Sequence, residues 1–156
     1  MANGTDAAAA AVSGVTGDGL GRFRTALRLL LGAALVFAGV GHLTHQREEF
    51  QAQVPDWFPV DADLVVLASG VVEIALGTAL VALPRRRVAV GLVAAAFFIV
   101  IFPGNIAQYV EGTDAFGLDS DRARLVRLFF QPILVAWALW STGAWEHLTR
   151  RLSRSG

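Results

Sequence analysis

The chain has 156 residues, of which 54% are hydrophobic, and this exceeds the apolar share of about 45–50% in soluble domains. Thirteen arginines balance thirteen carboxylates, so the net charge of zero gives no reason to expect nucleic-acid binding. The chain has no cysteine, which excludes disulfides, thiol exchange and thiolate metal sites.

The first 21 residues are rich in Ala and Gly and contain no basic residue. A secretory signal would begin with a basic segment, so we predict a disordered tail over residues 1–21 rather than a cleaved leader. A transmembrane domain is predicted over residues 22–145, and a basic cytoplasmic tail over residues 146–156.

Four apolar stretches follow one another at about residues 26–43, 62–83, 88–110 and 124–142. As helices they can cross a hydrocarbon core of about 30 Å, although the first spans only about 27 Å and needs Arg24 and Arg28 to reach the interface. The runs are continuous and lack the polar alternation of barrel strands, which favours helices. Because the loops are short, we predict an all-α, up-down-up-down transmembrane four-helix bundle.

Arginines at the ends of the spans predict the orientation, since cytoplasmic flanks keep basic residues. With the N-terminus inside, nine arginines fall on the inner side and four on the outer side. The inner set is Arg22, Arg24, Arg28, Arg85, Arg86, Arg87, Arg150, Arg151 and Arg154, and the outer set is Arg47, Arg122, Arg124 and Arg127. We therefore predict a multi-pass protein of the plasma (inner) membrane with both termini cytoplasmic. The long side chains of Arg24 and Arg28 are expected to snorkel, that is, to extend along the helix to the membrane interface.

The longest outer loop, residues 45–61, contains aromatic residues, Val54 and two prolines. We expect it to lie on the membrane surface and to cap the outer mouth of the bundle.

Glu73 is the most informative polar residue because it falls near the middle of the second span. A carboxyl at that depth usually faces the bundle interior or a water-filled cavity. Ser69, Gly70 and Gly77 share its helix face, so the carboxyl should point inward. We expect it to face a ligand; the alternative is a structural pair with Arg127.

The remaining candidate ligand-binding residues are His42, Asn105, Arg127 and Gln131, in the outer halves of the other three spans. They are predicted to converge with Glu73 on one cavity. Each has an alternative role: His42 in the headgroup region, Arg127 as an interfacial anchor, and the two amides as hydrogen bonds between helices. Pro103 and Pro132 should kink their helices and free the carbonyls of Ile99 and Leu128.

Catalytic and metal-binding motifs are missing from the sequence. It contains no phosphate-binding loop, nucleophile elbow or dinucleotide fingerprint. The three histidines form no local metal motif, and two histidines placed to hold a haem are lacking. We therefore expect no metal site, and the sequence leaves open whether the protein is an enzyme.

Four fragments carry a family resemblance: FAGVGHLTHQREEFQAQVPDWFP, SGVVEIALGTALVALPRRR, FPGNIAQYVEG and RLVRLFFQPILVAWALW. Together they cover nearly everything from Arg24 to Trp140, and the chain resembles the DoxX-like family of small membrane proteins. The resemblance implies a four-helix membrane fold and a link to quinone-coupled oxidoreductase complexes or to maturation of other membrane proteins. It identifies as signature positions His42, Glu73, Asn105 and Gln131. Leu43 departs from the phenylalanine of many members.

Three functions remain open. The leading one is an accessory subunit whose outer-half pocket binds a small amphipathic ligand, such as a quinone or a lipid. The second is an assembly factor or chaperone that pairs laterally with another membrane protein through small-residue faces such as Ala34 and Ala38. Whether the protein also forms a homo-oligomer is left open. The third is a proton-coupled transporter in which Glu73 titrates, although the sequence shows no internal repeat and no polar residues in the inner halves of the spans.

Overall fold

A computed structural model describes residues 4–155 apart from residues 52, 56 and 115–119. Every regular element in this part of the chain is helical. The helices are α1 (Gly4–Leu43), α2 (Arg47–Gln51), α3 (Ala62–Ala82), α4 (Arg87–Glu111), α5 (Asp121–Thr142) and α6 (Ala144–Ser155), and a 3₁₀ turn, Pro84–Arg86, precedes α4. The predicted all-α class is confirmed.

Four helical segments are long and apolar enough to cross a membrane, as predicted. They are Gly19–Leu43, Ala62–Ala82, Pro84–Glu111 and Asp121–Thr142. Their ends follow from local chemistry. Asp61 caps α3 by accepting from the backbone N–H of Leu64 at 3.1 Å, and Gly143 ends α5 with a left-handed φ of 80°.

The two ends of the chain differ from the prediction. Helix α1 begins at Gly4, so residues 4–21, predicted to be disordered, are described as helix, and residues 1–3 lie outside the described part. A run of five alanines, residues 7–11, favours helix because alanine has the highest helix propensity. The predicted basic tail, 146–156, is helix α6 up to Ser155.

Helices α1 and α3 pack along a line of glycines. A Cβ at Gly77 would lie 2.5 Å from the backbone oxygen of Gly32, and a Cβ at Gly39 would lie 2.6 Å from that of Gly70. Such backbone contact needs residues without side chains. The core beside this contact consists of Leu31, Leu35, Leu76, Leu80, Ala94, Ala95, Phe98 and Ala138.

One end of the bundle, formed by residues 22–28, 84–87 and 144–154, is here named the arginine-rich end. Arg24 pairs with Glu146 and its Nε donates to the Trp140 carbonyl at 3.0 Å. Arg28 is only 5% exposed and donates to the Leu80 carbonyl, which lacks its helical partner because Pro84 has no N–H. Arg28, predicted to snorkel, is thus held against the bundle by this carbonyl near the end of α3.

The opposite end contains α2, the loop that follows it, and the turn between α4 and α5. Arg47 donates two hydrogen bonds to the Asp63 carboxylate, which also accepts from the Gln51 amide at 2.6 Å. These hydrogen bonds, and the charge of Asp63, raise the pKa of Arg47. The contacts tie α2 to the first turn of α3.

Candidate functional site

A cavity of about 660 Å³ lies between α1, α3, α4 and α5 under the segment 50–58. All five residues predicted from the sequence line it: His42, Glu73, Asn105, Arg127 and Gln131. The structure thus brings together side chains from four different helices. The cavity size falls within the range of about 300–1,000 Å³ that is usual for small-molecule sites.

Glu73 is buried in the wall of the cavity, with 6% of the residue exposed. Its Oε2 lies 3.5 Å from Nε2 of His42, close enough for electrostatic attraction but without hydrogen-bond geometry. Among the described residues, this oxygen has no hydrogen-bond partner. A buried carboxyl oxygen without a partner is costly, so a proton or a ligand group at this position would be stabilising.

The side chain that faces Glu73 is His42, whereas the pair considered from the sequence was with Arg127. The Nδ1 atom of His42 lies 2.8 Å from Ser69 Oγ, and Ser69 donates to the Val66 carbonyl at 2.9 Å. Ser69 is then free to accept from an Nδ1–H, and this hydrogen-bond pattern assigns the neutral ring its tautomer. In that tautomer Nε2 is an acceptor that faces the acceptor oxygen of Glu73.

The facing acceptors define the chemistry of the site. Two acceptor atoms at this separation can be satisfied by a proton that either Glu73 or His42 carries, or by a ligand donor that lies beside both of them. A protonated pair can donate to a carbonyl oxygen, and an unprotonated pair can accept from a hydroxyl. The pair therefore suits a ligand head with oxygen atoms.

Asn105 and Gln131 form a second polar group, across the cavity wall between α4 and α5. Asn105 Nδ2 donates to Gln131 Oε1 at 2.9 Å, and Gln131 Nε2 donates to the Phe98 carbonyl at 2.6 Å. Gln131 fits the alternative role of a hydrogen bond between helices, because both the oxygen and the nitrogen of its amide bond to residues of α4. Gln131 donates to the carbonyl of Phe98. The carbonyl that Pro103 was predicted to free is the neighbouring one, that of Ile99.

Arg127 anchors the segment that covers the cavity. Its guanidinium donates to Gln53 Oε1 at 2.8 Å, and a Cβ at Gly104 would lie 3.0 Å from the Gln53 backbone oxygen. The Phe50 ring lies against the His42 ring at an interplanar angle of 39°, with the centroids 3.4 Å apart. The expected cap is therefore built from the loop, which contacts α1, α4 and α5.

Three residues of the site were not among the predicted ligand-binding residues: Phe50, Gln53 and Ser69. Ser69 had a usable signal, because it precedes Glu73 by one helical turn on the same face. Phe50 and Gln53 lie in a loop whose path depends on tertiary contacts, so no local pattern identified them.

The rest of the cavity wall is apolar, with Leu31, Leu35, Phe98, Ile101 and Leu134 at its deeper part. Ala34 and Ala38 also line the cavity, although they were expected to serve lateral pairing. No group of three His, Asp or Glu side chains in the described part of the chain is placed to hold a metal ion. The arrangement offers a polar head site joined to an apolar chamber.

Comparison with known protein families matched residues 31–142 to a family model described as a domain of unknown function (DUF8561). No curated protein and no solved structure matched the chain. The matched region covers most of the chain and contains all five cavity residues predicted from the sequence. The chain therefore belongs to the DUF8561 family.

Proposed function

We propose that this member of the DUF8561 family is a membrane accessory subunit whose cavity binds a small amphipathic ligand with an oxygen-bearing head, such as a quinone or a lipid. The observation that carries the proposal is Glu73 Oε2, a buried oxygen without a hydrogen-bond partner among the described residues, in the wall of a cavity. A ligand head would supply the missing contact.

A quinone fits the residues that are present. Its two carbonyl oxygens accept hydrogen bonds, and the protonated Glu73–His42 pair can donate one. The Asn105 amide also reaches the cavity from α4. The apolar chamber near Leu31 and Leu134 would take the start of a hydrocarbon tail, and the aromatic cover would exclude water. A quinone, when bound, supplies reversible two-electron chemistry; the chain's own residues would bind and orient its head.

The lateral-pairing alternative is less well supported by the contacts. The small residues Gly32, Gly39, Gly70 and Gly77 are occupied in the contact between α1 and α3. Ala34 and Ala38 face the cavity. The small residues that were considered for pairing therefore face the inside of this protein, where a partner protein could not contact them.

We further propose an up-down-up-down bundle in the plasma (inner) membrane with both termini cytoplasmic. Two sets of contacts support the alternation: Arg28 meets Leu80 near the end of α3, and His42 meets Ser69 near its start. The arginine-rich end would be the cytoplasmic one because basic flanks stay inside. A distant relationship to the DoxX-like family is part of the proposal, and it is supported by the presence of its four signature positions around one cavity.

The test compares molecules that co-purify with wild type and with Glu73→Ala. Both proteins are extracted gently from native membranes, and bound quinones and lipids are quantified per protein by mass spectrometry. Loss of the carboxyl should lower the occupancy of a specific molecule by about tenfold, which corresponds to one lost charge-assisted contact of ~1.4 kcal/mol. Glu111→Ala, an exposed carboxylate at the end of α4, is the matched control.

Glu73→Gln tests whether binding needs a group that can take up and release a proton, because the glutamine amide has the size of the carboxyl but does not titrate. If wild type and Glu73→Ala retain the same molecules at the same occupancy, the cavity is not the binding site and the proposal fails.

A further inference from the structure

Helix α6 follows α5 directly, with only Gly143 between them. It contacts α4 and α5, and the Arg24–Glu146 ion pair ties it to α1. Ala144 is fully buried in this junction. The helix is therefore held at the arginine-rich end of the bundle, beside the ends of the membrane-spanning helices.

The sequence of α6 divides into two faces at the helical spacing of 100° per residue. Ala144, Trp145, Leu148 and Leu152 fall within about 100° of arc, and His147, Arg150, Arg151 and Arg154 fall within another arc of about the same width. Ala144, at one edge of the apolar arc, is buried in the bundle, whereas Trp145 is 52% and Leu152 is 72% exposed among the described residues.

The basic side chains of α6 lie on one exposed face of the helix. His147, Arg150, Arg151 and Arg154 line a depression of about 300 Å³. Arg150 Nε donates to the Glu146 carbonyl at 3.0 Å, which fixes the start of its guanidinium toward the helix. Guanidinium groups bind phosphate through paired N–H donors.

We infer that α6 is an interfacial helix that binds anionic phospholipid headgroups. Its apolar arc lies among the acyl chains at the bilayer surface, and its arginines bind the phosphates beside it. Two observations commit the surface to lipid rather than to a soluble acidic partner. The exposed part of the apolar arc adjoins the basic one, and the helix is fixed within reach of the bilayer by α5. The inference does not depend on the ligand of the cavity.

The first experiment measures lipid selectivity. The full-length protein is reconstituted into nanodiscs of equal parts phosphatidylcholine and phosphatidylglycerol, released gently, and its retained lipids are counted by native mass spectrometry. Wild type should enrich phosphatidylglycerol. Because each interfacial arginine contributes about fivefold in affinity, R150Q/R151Q/R154Q should lower the enrichment by at least about tenfold.

The matched control is R85Q/R86Q/R87Q, which removes three arginines at the same end of the bundle from a turn without an adjoining apolar arc. It should keep most of the enrichment. Equal losses in the two triple variants would overturn the inference, as would unchanged enrichment in R150Q/R151Q/R154Q. Circular dichroism checks that both variants keep their helices.

The second experiment places α6 relative to the bilayer and uses the absence of cysteine from the chain. Spin labels are attached to L152C on the apolar arc and to S153C on the far side. The label at 152 should be protected from a water-soluble relaxation agent and reached by oxygen, and the label at 153 should show the reverse. Equal exposure of both labels to water would show that α6 projects away from the membrane, and the inference would fail.

Discussion

Replacing Gly77 with alanine should destabilise the protein, because a Cβ at this position collides with backbone. The added atom would lie 2.5 Å from the Gly32 oxygen and 2.9 Å from the Val36 nitrogen. Backbone atoms cannot rotate aside as a side-chain end can. To restore an ordinary contact of 3.4 Å to the Gly32 oxygen, α1 and α3 must separate by about 0.9 Å.

The cost follows from two opposing effects. Overpacking of this kind costs about 1–3 kcal/mol. Alanine in place of a helical glycine returns about 0.5–1 kcal/mol through backbone entropy and helix propensity. The difference between these ranges is about 0–2.5 kcal/mol of net destabilisation, and its midpoint lowers Tm by several degrees for a chain of this size.

The assay is thermal unfolding in one detergent, followed by circular dichroism. Gly21→Ala is the matched control, since a Cβ there meets no atom within 4 Å and only the favourable backbone effect remains. The double variant G32A/G77A should cost less than the sum of its parts, because helices that have already moved apart accommodate the second methyl more easily. A Tm for Gly77→Ala at or above that of Gly21→Ala would refute the reasoning.

Two further predictions address the polar contacts. Gln131→Leu removes both hydrogen bonds to α4 and should cost about 1–2 kcal/mol, measured by the same thermal unfolding, with Gln131→Glu as the control that keeps an acceptor. Arg24, through its hydrogen bond, lowers the pKa of Glu146, so this carboxylate adds stability above its ordinary pKa and loses it as the pH falls through the lowered value. Since the Glu146 side chain is 39% exposed, the effect should be below about 1 kcal/mol and weaker in salt. The decrease in Tm of wild type at acid pH should be smaller in Glu146→Gln, and identical pH profiles would exclude a role for the pair.

The spans were predictable because an apolar stretch of about 20 residues prefers lipid to water, and tertiary packing does not change that preference. Breakers such as Pro84 and Gly143 then set the helix ends locally. Helix α6 was predicted only as a basic tail, because its charges were counted without regard to their positions around a helix axis. Its signal was present in Trp145, Leu148 and Leu152, which recur at helical spacing.

The contacts between polar groups on different helices were less predictable than the spans. Arg28 appeared able to reach the interface along its flexible stem, but its position against the bundle depends on a carbonyl that Pro84 frees on another helix. Glu73 was expected to pair with Arg127 if it paired at all, but the structure puts His42 opposite it and gives Arg127 a partner in Gln53. Distances between helices decide such pairs, and a single sequence does not contain them.

The glycine contact and the candidate site are parts of one arrangement. Gly70 precedes Glu73 by three residues and Gly77 follows it by four, so the face that meets α1 also carries the carboxyl. A Cβ at Gly70 would lie only 2.7 Å from Cβ of His42. The absence of a side chain at Gly70 is therefore what lets the His42 ring sit between Ser69 and Glu73. A substitution that widens this contact should weaken the site as well as the fold, because the imidazole would move away from the carboxyl.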